Sequence, residues 1–139
     1  KPNENRDFVI VDAAMNDLIR PTLYNAYHEI VPVIEAPKGH ADINMDIVGP
    51  ICESGDYIAK DRMMAPVDAD DLLAVRTAGA YAAVMASTYN TRPLAPEVLV
   101  NGNTFEVIRR RFTVDDMIDL ETIPDWLSSD PPLRAGGTG

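Results

Sequence analysis

Short apolar runs, broken by proline, glycine and charge, set the rhythm of this chain. Residues 8–12 (FVIVD) are apolar and β-branched, the pattern of a buried strand. In residues 16–26 (NDLIRPTLYNA), Pro21 breaks any regular helix, so a turn or short helical pieces are expected. Residues 27–35 (YHEIVPVIE) favour a strand, and Pro32 requires an edge or a bulge there. A loop follows over 36–44, then strand-like runs at 45–49 (MDIVG) and 71–77 (DLLAVRT). Residues 78–87 (AGAYAAVMAS) are small and alanine-rich and predict a helix whose start Gly79 weakens.

Two strand-like runs in 97–111 (EVLVNGNTFEVIRRR) flank Asn101-Gly102, a pair suited to the positive φ angles of a hairpin turn. Thr113 and Asp116 stand at capping-box spacing and predict a short helix over 113–121. The glycine-rich end is expected to be a disordered tail over 128–139, leaving one domain over 1–127. Its glycines are no phosphate loop, since no strand precedes them and no helix follows. Many short strands between Gly and Pro turns predict a mainly β fold, a barrel or sandwich with a few short helices.

Charge and cysteine usage narrow the function. The 139 residues hold 22 acidic and 12 basic side chains, a net charge of −10. Nucleic-acid binding needs basic patches, so it is not expected. The one basic run, residues 109–111, reads as a solvated strand end. No apolar run reaches membrane-spanning length, and the polar start (KPNENRD) predicts no secretory signal. The first residue is lysine rather than methionine, so a fragment or processed product is expected. A single cysteine excludes an intrachain disulfide and fits a reducing, cytoplasmic setting. One cysteine and two distant histidines, His28 and His40, build no zinc site.

That cysteine has an unusual place. Cys52 stands in residues 49–61 (GPICESGDYIAKD), beside Glu53, Ser54 and Asp56 and between two glycines. Structural cysteines usually sit among aliphatic residues. From the residues alone, Cys52 is either an inert, partly buried thiol or one set to be reached.

The stretches 8–30, 48–61 and 71–102, in that order, resemble the C-terminal part of the diaminopimelate decarboxylases. The resemblance covers about residues 6–125, and Cys-Glu-Ser-Gly-Asp is its most specific motif. It implies the C-terminal Greek-key-like β-barrel of the alanine racemase and group IV decarboxylase type. In that family an N-terminal (β/α)8 barrel holds pyridoxal 5′-phosphate covalently through a lysine. The active site lies between the domains at a two-fold dimer interface, and the enzyme converts meso-2,6-diaminopimelate to L-lysine and CO2 in bacterial lysine biosynthesis. The (β/α)8 domain is absent from these 139 residues. None of the three lysines, Lys1, Lys38 and Lys60, has the cofactor lysine's context. The barrel is therefore expected to be incomplete, with an open edge. The 139 residues alone are expected to be inactive, and a homodimer is expected of the complete enzyme.

The resemblance also implies roles. Cys52 matches a proposed proton donor that reaches the cofactor of the opposite subunit. Glu53 would hold the substrate's distal ammonium. Arg20 would hold the distal carboxylate, with Tyr24 beside it. Tyr81 would approach the cofactor and its phosphate. Without the resemblance, Arg20 is a surface arginine, Tyr24 a core aromatic and Tyr81 a packed helix residue. Lys60 reads as solvated, and His28 and His40 as structural. Two alternatives stand beside this reading: a related pyridoxal-phosphate decarboxylase of another diamino acid, and a non-catalytic homologue that acts by binding.

Overall fold

The structure is a computed structural model that describes residues 7–127. Among the described residues seven strands form three sheets. The first sheet has the order β1-β3-β4, built from β1 (Asp7–Ile10), β3 (Ile43–Val48) and β4 (Tyr57–Met64). β1 runs parallel to β3, with Phe8 opposite Asp46, and β3 runs antiparallel to β4. A parallel pair needs a long crossover. Here it carries α1 (Arg20–Tyr24) and β2 (Ile30–Pro32). β2 pairs antiparallel with β5 (Leu73–Val75), so Pro32 sits at the end of a short two-stranded ladder. The third sheet is the hairpin of β6 (Glu97–Asn101) and β7 (Thr104–Arg109). Among the described residues the ladders do not join into a closed ring, and a groove of about 430 Å³ is lined by residues of both β1 and β5.

The core forms between β3, which turns Met45 and Ile47 inward, and β4, which buries Ile58, Ala59 and Met64. Leu18, Ile30, Met45, Ile47, Ile58, Ala59 and Met64 make one buried cluster. Met45, Ile47 and Ile58 are its largest fully buried side chains, each worth roughly 1.5–3 kcal/mol of burial. Asp46 points to the other face of β3 and is buried too. Its carboxylate accepts the Asp61 N–H at 2.8 Å. That donor is turned aside by a bulge. Met45 faces Arg62 and Ile47 faces Ala59, so β4 carries an extra residue there, and Asp61 has φ +52°.

Residues 16–26 form a turn and one short helix, as expected, with Pro21 in the first turn of α1, where no intrahelical N–H bond is required. Two other elements differ from the sequence reading. β4, the longest strand, follows the cysteine turn but was not assigned from the sequence. The hairpin turn is Gly102-Asn103, one residue later than expected. Asn101 pairs with Thr104 as the last strand residue, and only Gly102 takes a positive φ, +58°. The capping box of α3 (Val114–Ile118) forms as the spacing predicts: Thr113 Oγ1 accepts the Asp116 N–H and Asp116 accepts the Thr113 N–H. Two side chains of the basic run are paired, Arg109 with Glu97 and Arg110 with Asp116. The tail expected over 128–139 lies outside the described residues.

The hairpin buries neither face. Leu99, Val100, Phe105 and Ile108 are all exposed, as are Leu120, Ile123 and Trp126 beyond α3. Apolar patches of this kind mark surfaces that meet another part of a protein or another chain.

Candidate active site

The motif turn is organised by a buried carboxylate. Asp56 is 5% exposed and accepts the Met15 N–H at 2.7 Å and the Ile51 N–H at 2.6 Å. It thus ties the turn to the segment before α1. Gly49 is required by the same packing: a Cβ there would stand 2.5 Å from both Asp56 oxygens. Gly49→Ala should therefore displace the carboxylate, strand two backbone donors and cost about 2–3 kcal/mol. Denaturant unfolding measures this, and a midpoint equal to wild type would refute the account of Gly49.

α1 is fastened to the turn by one of its own side chains. Thr22 Oγ1 donates to the Gly55 carbonyl, and the Tyr57 hydroxyl reaches the Pro21 carbonyl at 3.5 Å. Arg20 and Tyr24 flank Thr22, so the helix carries both as it docks. Their four-residue spacing puts them on one side. The Arg20 guanidinium carbon lies 5.6 Å from the Tyr24 ring centroid and 4.6 Å from that of Tyr81, which α2 (Gly79–Met85) presents. Tyr24 and Tyr81 are exposed, neither packed in the core. Arg20, Tyr24 and Tyr81 form one stacked cluster, held by cation–π attraction.

Across the Thr22–Gly55 link stands the second cluster. Cys52, Glu53 and Ser54 form the exposed crown of the turn. Glu53 is fixed at its backbone, donating to the Ile51 carbonyl at 2.8 Å and accepting the Asp56 N–H at 3.0 Å. Its carboxylate accepts the Tyr89 hydroxyl at 3.2 Å and the Ser54 hydroxyl at 3.4 Å. That hydrogen bond and the negative charge of Glu53 raise the Tyr89 phenol above its usual pKa. Tyr89 was not among the residues singled out from the sequence. Its chain distance from Glu53 hides the pairing, and only the turn-like composition of TYNTRP hints at a built loop.

The arrangement presents a guanidinium and a carboxylate on one hydrogen-bonded unit, with a thiol next to the carboxylate. A guanidinium takes a carboxylate or phosphate, and a carboxylate takes an ammonium. The lysines among the described residues do not stand in the Arg20–Tyr24–Tyr81 cluster: Lys60 Nζ lies 3.7 Å over the Tyr57 ring, and Lys38 is on the 33–42 loop. His28 is buried, with Nδ1 3.3 Å from the Arg76 carbonyl. His40 is exposed and bridges the Pro37 carbonyl and Asp42, each at 2.9 Å. The Pro37 bond first, then Asp42, raises its pKa.

The chain resembles known proteins along most of its described length. It is 51% identical to a diaminopimelate decarboxylase of Zymomonas mobilis over 127 residues, 91% of this chain and 30% of that protein. A solved structure from Aquifex aeolicus superposes with a TM-score of 0.81 at 48% identity, over 86% of this chain and 29% of the other. The diaminopimelate decarboxylase of M. jannaschii in co-complex with L-lysine superposes with a TM-score of 0.82 at 35% identity, over 92% and 29%. The chain thus spans about 30% of the length of the curated relatives it matches. Among the described residues no helix is long and apolar enough to cross a membrane. Residues 1–79 match the sheet domain that ends the pyridoxal-dependent decarboxylases, and the chain belongs to that family as its C-terminal sheet domain.

Proposed function

We propose that the chain is the C-terminal domain of a diaminopimelate decarboxylase, which releases CO2 from meso-2,6-diaminopimelate and yields L-lysine. The observation that carries this reading is the Thr22–Gly55 link, which joins the Arg20–Tyr24–Tyr81 cluster to the Cys52–Glu53 turn. Diaminopimelate has an amino-acid group at each end. While one end reacts, the other offers a carboxylate and an ammonium together. Arg20 takes the carboxylate, with the Tyr24 hydroxyl beside it, and Glu53 takes the ammonium.

Pyridoxal phosphate, when bound, supplies the electron sink that draws charge from the substrate's α-carbon as CO2 leaves. Tyr81 would stand on the cofactor's phosphate side. Cys52 then gives the thiol proton to the α-carbon: the S–H bond breaks, a C–H bond forms, and the thiolate regains a proton from water before the next turnover. The lysine and phosphate loop that hold the cofactor belong to a (β/α)8 domain outside these 139 residues, so the residues alone are inactive. The exposed hairpin and the apolar side chains beyond α3 support burial in a homodimer. An accessible thiol suits the reducing cytoplasm.

The test is a substrate panel on the two-domain enzyme loaded with pyridoxal phosphate, reading CO2 release. Diaminopimelate should exceed ornithine, arginine and lysine in kcat/KM. Preference for one of the other three would move the enzyme to a related decarboxylase, and no release from any would favour a binding protein.

A further inference from the structure

Tyr89 lies on a short turn that the backbone adopts under strain. Asn90 and Thr91 both take left-handed conformations, with φ of +56° and +57°. Asparagine tolerates that region, but a β-branched threonine rarely does. Two such residues in succession persist only where surrounding contacts hold them, and such strain gathers at functional sites.

Here the holding contacts are on both sides of Tyr89. Buried Asn16, 2% exposed, donates through Nδ2 to the Ser87 carbonyl at 3.1 Å. Arg92 donates through Nε to Asn16 Oδ1 at 2.9 Å and through a terminal nitrogen to the Asp12 carbonyl at 2.6 Å. The Ser87 N–H in turn donates to the Asn16 carbonyl at 2.9 Å. The turn is thus clamped to the 12–17 segment, the segment that Asp56 binds through Met15. Both ends of the Tyr89–Glu53 hydrogen bond are therefore fixed to one support, although 36 residues separate them.

Tyr89 itself is exposed and lies outside the core cluster, so packing does not account for the clamp. What the clamp delivers is its hydroxyl. An ionised carboxylate has about four acceptor positions. Tyr89 occupies one on Oε2 and Ser54 one on Oε1, leaving the others open at the crown of the turn. An exposed glutamate otherwise samples several rotamers, and each binding event would have to immobilise it. A carboxylate already held by a phenol meets an ammonium with that ordering done.

We propose that Tyr89 is a positioning residue that fixes Glu53 to receive the substrate's distal ammonium, so that the strained 89–91 turn sets affinity for that end. This rests on the reading of Glu53 given under Proposed function. Tyr89 would act through Glu53, to which its hydroxyl donates, rather than on the reacting carbon. Its loss should weaken ground state and transition state alike, raising KM without lowering kcat.

The experiment compares Tyr89→Phe, Glu53→Gln and the double variant in the two-domain holoenzyme, with diaminopimelate as substrate. Tyr89→Phe removes one oxygen from an exposed ring and keeps the turn. The expected result is a KM raised about tenfold, the worth of one hydrogen bond to a charged group, with kcat within about twofold of wild type. Glu53→Gln should raise KM further, and adding Tyr89→Phe to it should change nothing more. If Glu53→Gln raises KM while Tyr89→Phe matches wild type, the positioning role is overturned and the Glu53 reading survives. If Tyr89→Phe lowers kcat with KM unchanged, or adds its full effect to Glu53→Gln, Tyr89 acts other than through Glu53 and the proposal fails. If Glu53→Gln leaves KM at wild type, the Glu53 reading falls and Tyr89 falls with it.

Discussion

In the two-domain enzyme, Cys52→Ala should lower kcat by about 10²–10⁴-fold while KM stays near wild type. The expectation follows from where the thiol is and what it would do. Cys52 is exposed on a turn whose shape is set by Asp56, not by the cysteine. Removing one sulfur there leaves the two carboxylate bonds and the Thr22 fastening in place. Fold and substrate binding should therefore survive. A proton donor contributes only once charge has developed on the α-carbon, so its loss appears in the transition state alone. A variant with both kcat and KM at wild type would return Cys52 to an inert thiol. A variant with raised KM and unchanged kcat would make it a binding residue instead.

Arg20→Leu should narrow the preference for diaminopimelate over L-lysine by at least about 100-fold in kcat/KM. A site built for a polar group can reject an analogue that lacks it by roughly 10⁴–10⁵-fold, because its own charged groups are left unpaired. Lysine is such an analogue. With its only carboxylate at the reacting end, its far end is a bare ammonium, which Glu53 could hold while Arg20 faced nothing. Stacking sharpens the cost: the guanidinium rests against the Tyr24 and Tyr81 rings and is pre-set to take an anion. Leucine keeps an apolar stem against those rings and removes the charge. Diaminopimelate should lose heavily, whereas lysine, already poor, should lose little. The two substrates measured on both enzymes decide it. An unchanged ratio would mean that Arg20 does not read the distal carboxylate, and that the enzyme avoids consuming its product by other means.

Local signals in the sequence carried as far as local rules apply. The capping box at Thr113 and Asp116 forms because both partners lie within one turn. The strand expected over 8–12 forms as β1, Asp7–Ile10, ending two residues early, because the apolar run around Val9 and Ile10 is legible without its partner. β4 escaped because two register shifts interrupt its alternation. Ile58 and Ala59 are buried in succession, and Asp61 is turned aside to meet Asp46. Such a strand reads as a polar turn until β3 is set against it. The hairpin was visible, but Asn-Gly and Gly-Asn both tolerate positive φ, and the cross-strand pairing of Asn101 with Thr104 chose between them.

The candidate site divides in the same way. Cys52 and Glu53 are adjacent, and Arg20 and Tyr24 lie one helical turn apart, so each pair is visible along the chain. The meeting of Tyr81 with Arg20 depends on a tertiary contact between residues 61 apart in the chain, and Tyr89 with Glu53 on a strained turn clamped from 12–17. No periodicity encodes either contact. The sheet order β1-β3-β4, with a parallel pair across a long crossover, was likewise beyond local pattern.

If the proposed reading holds, Cys52 completes an active site whose cofactor is held by the other subunit. The most direct measurement uses two inactive full-length enzymes, one with Cys52→Ala and one lacking the cofactor-holding lysine of the first domain. Dissociated, mixed and allowed to re-form two-fold dimers at random, about half become hybrids, each with one site that holds both lysine and thiol. The account predicts recovery to about a quarter of wild-type activity, since about one site in four is then whole. Mixtures that stay as inactive as their parents, while hybrid dimers are seen to form, would contradict it.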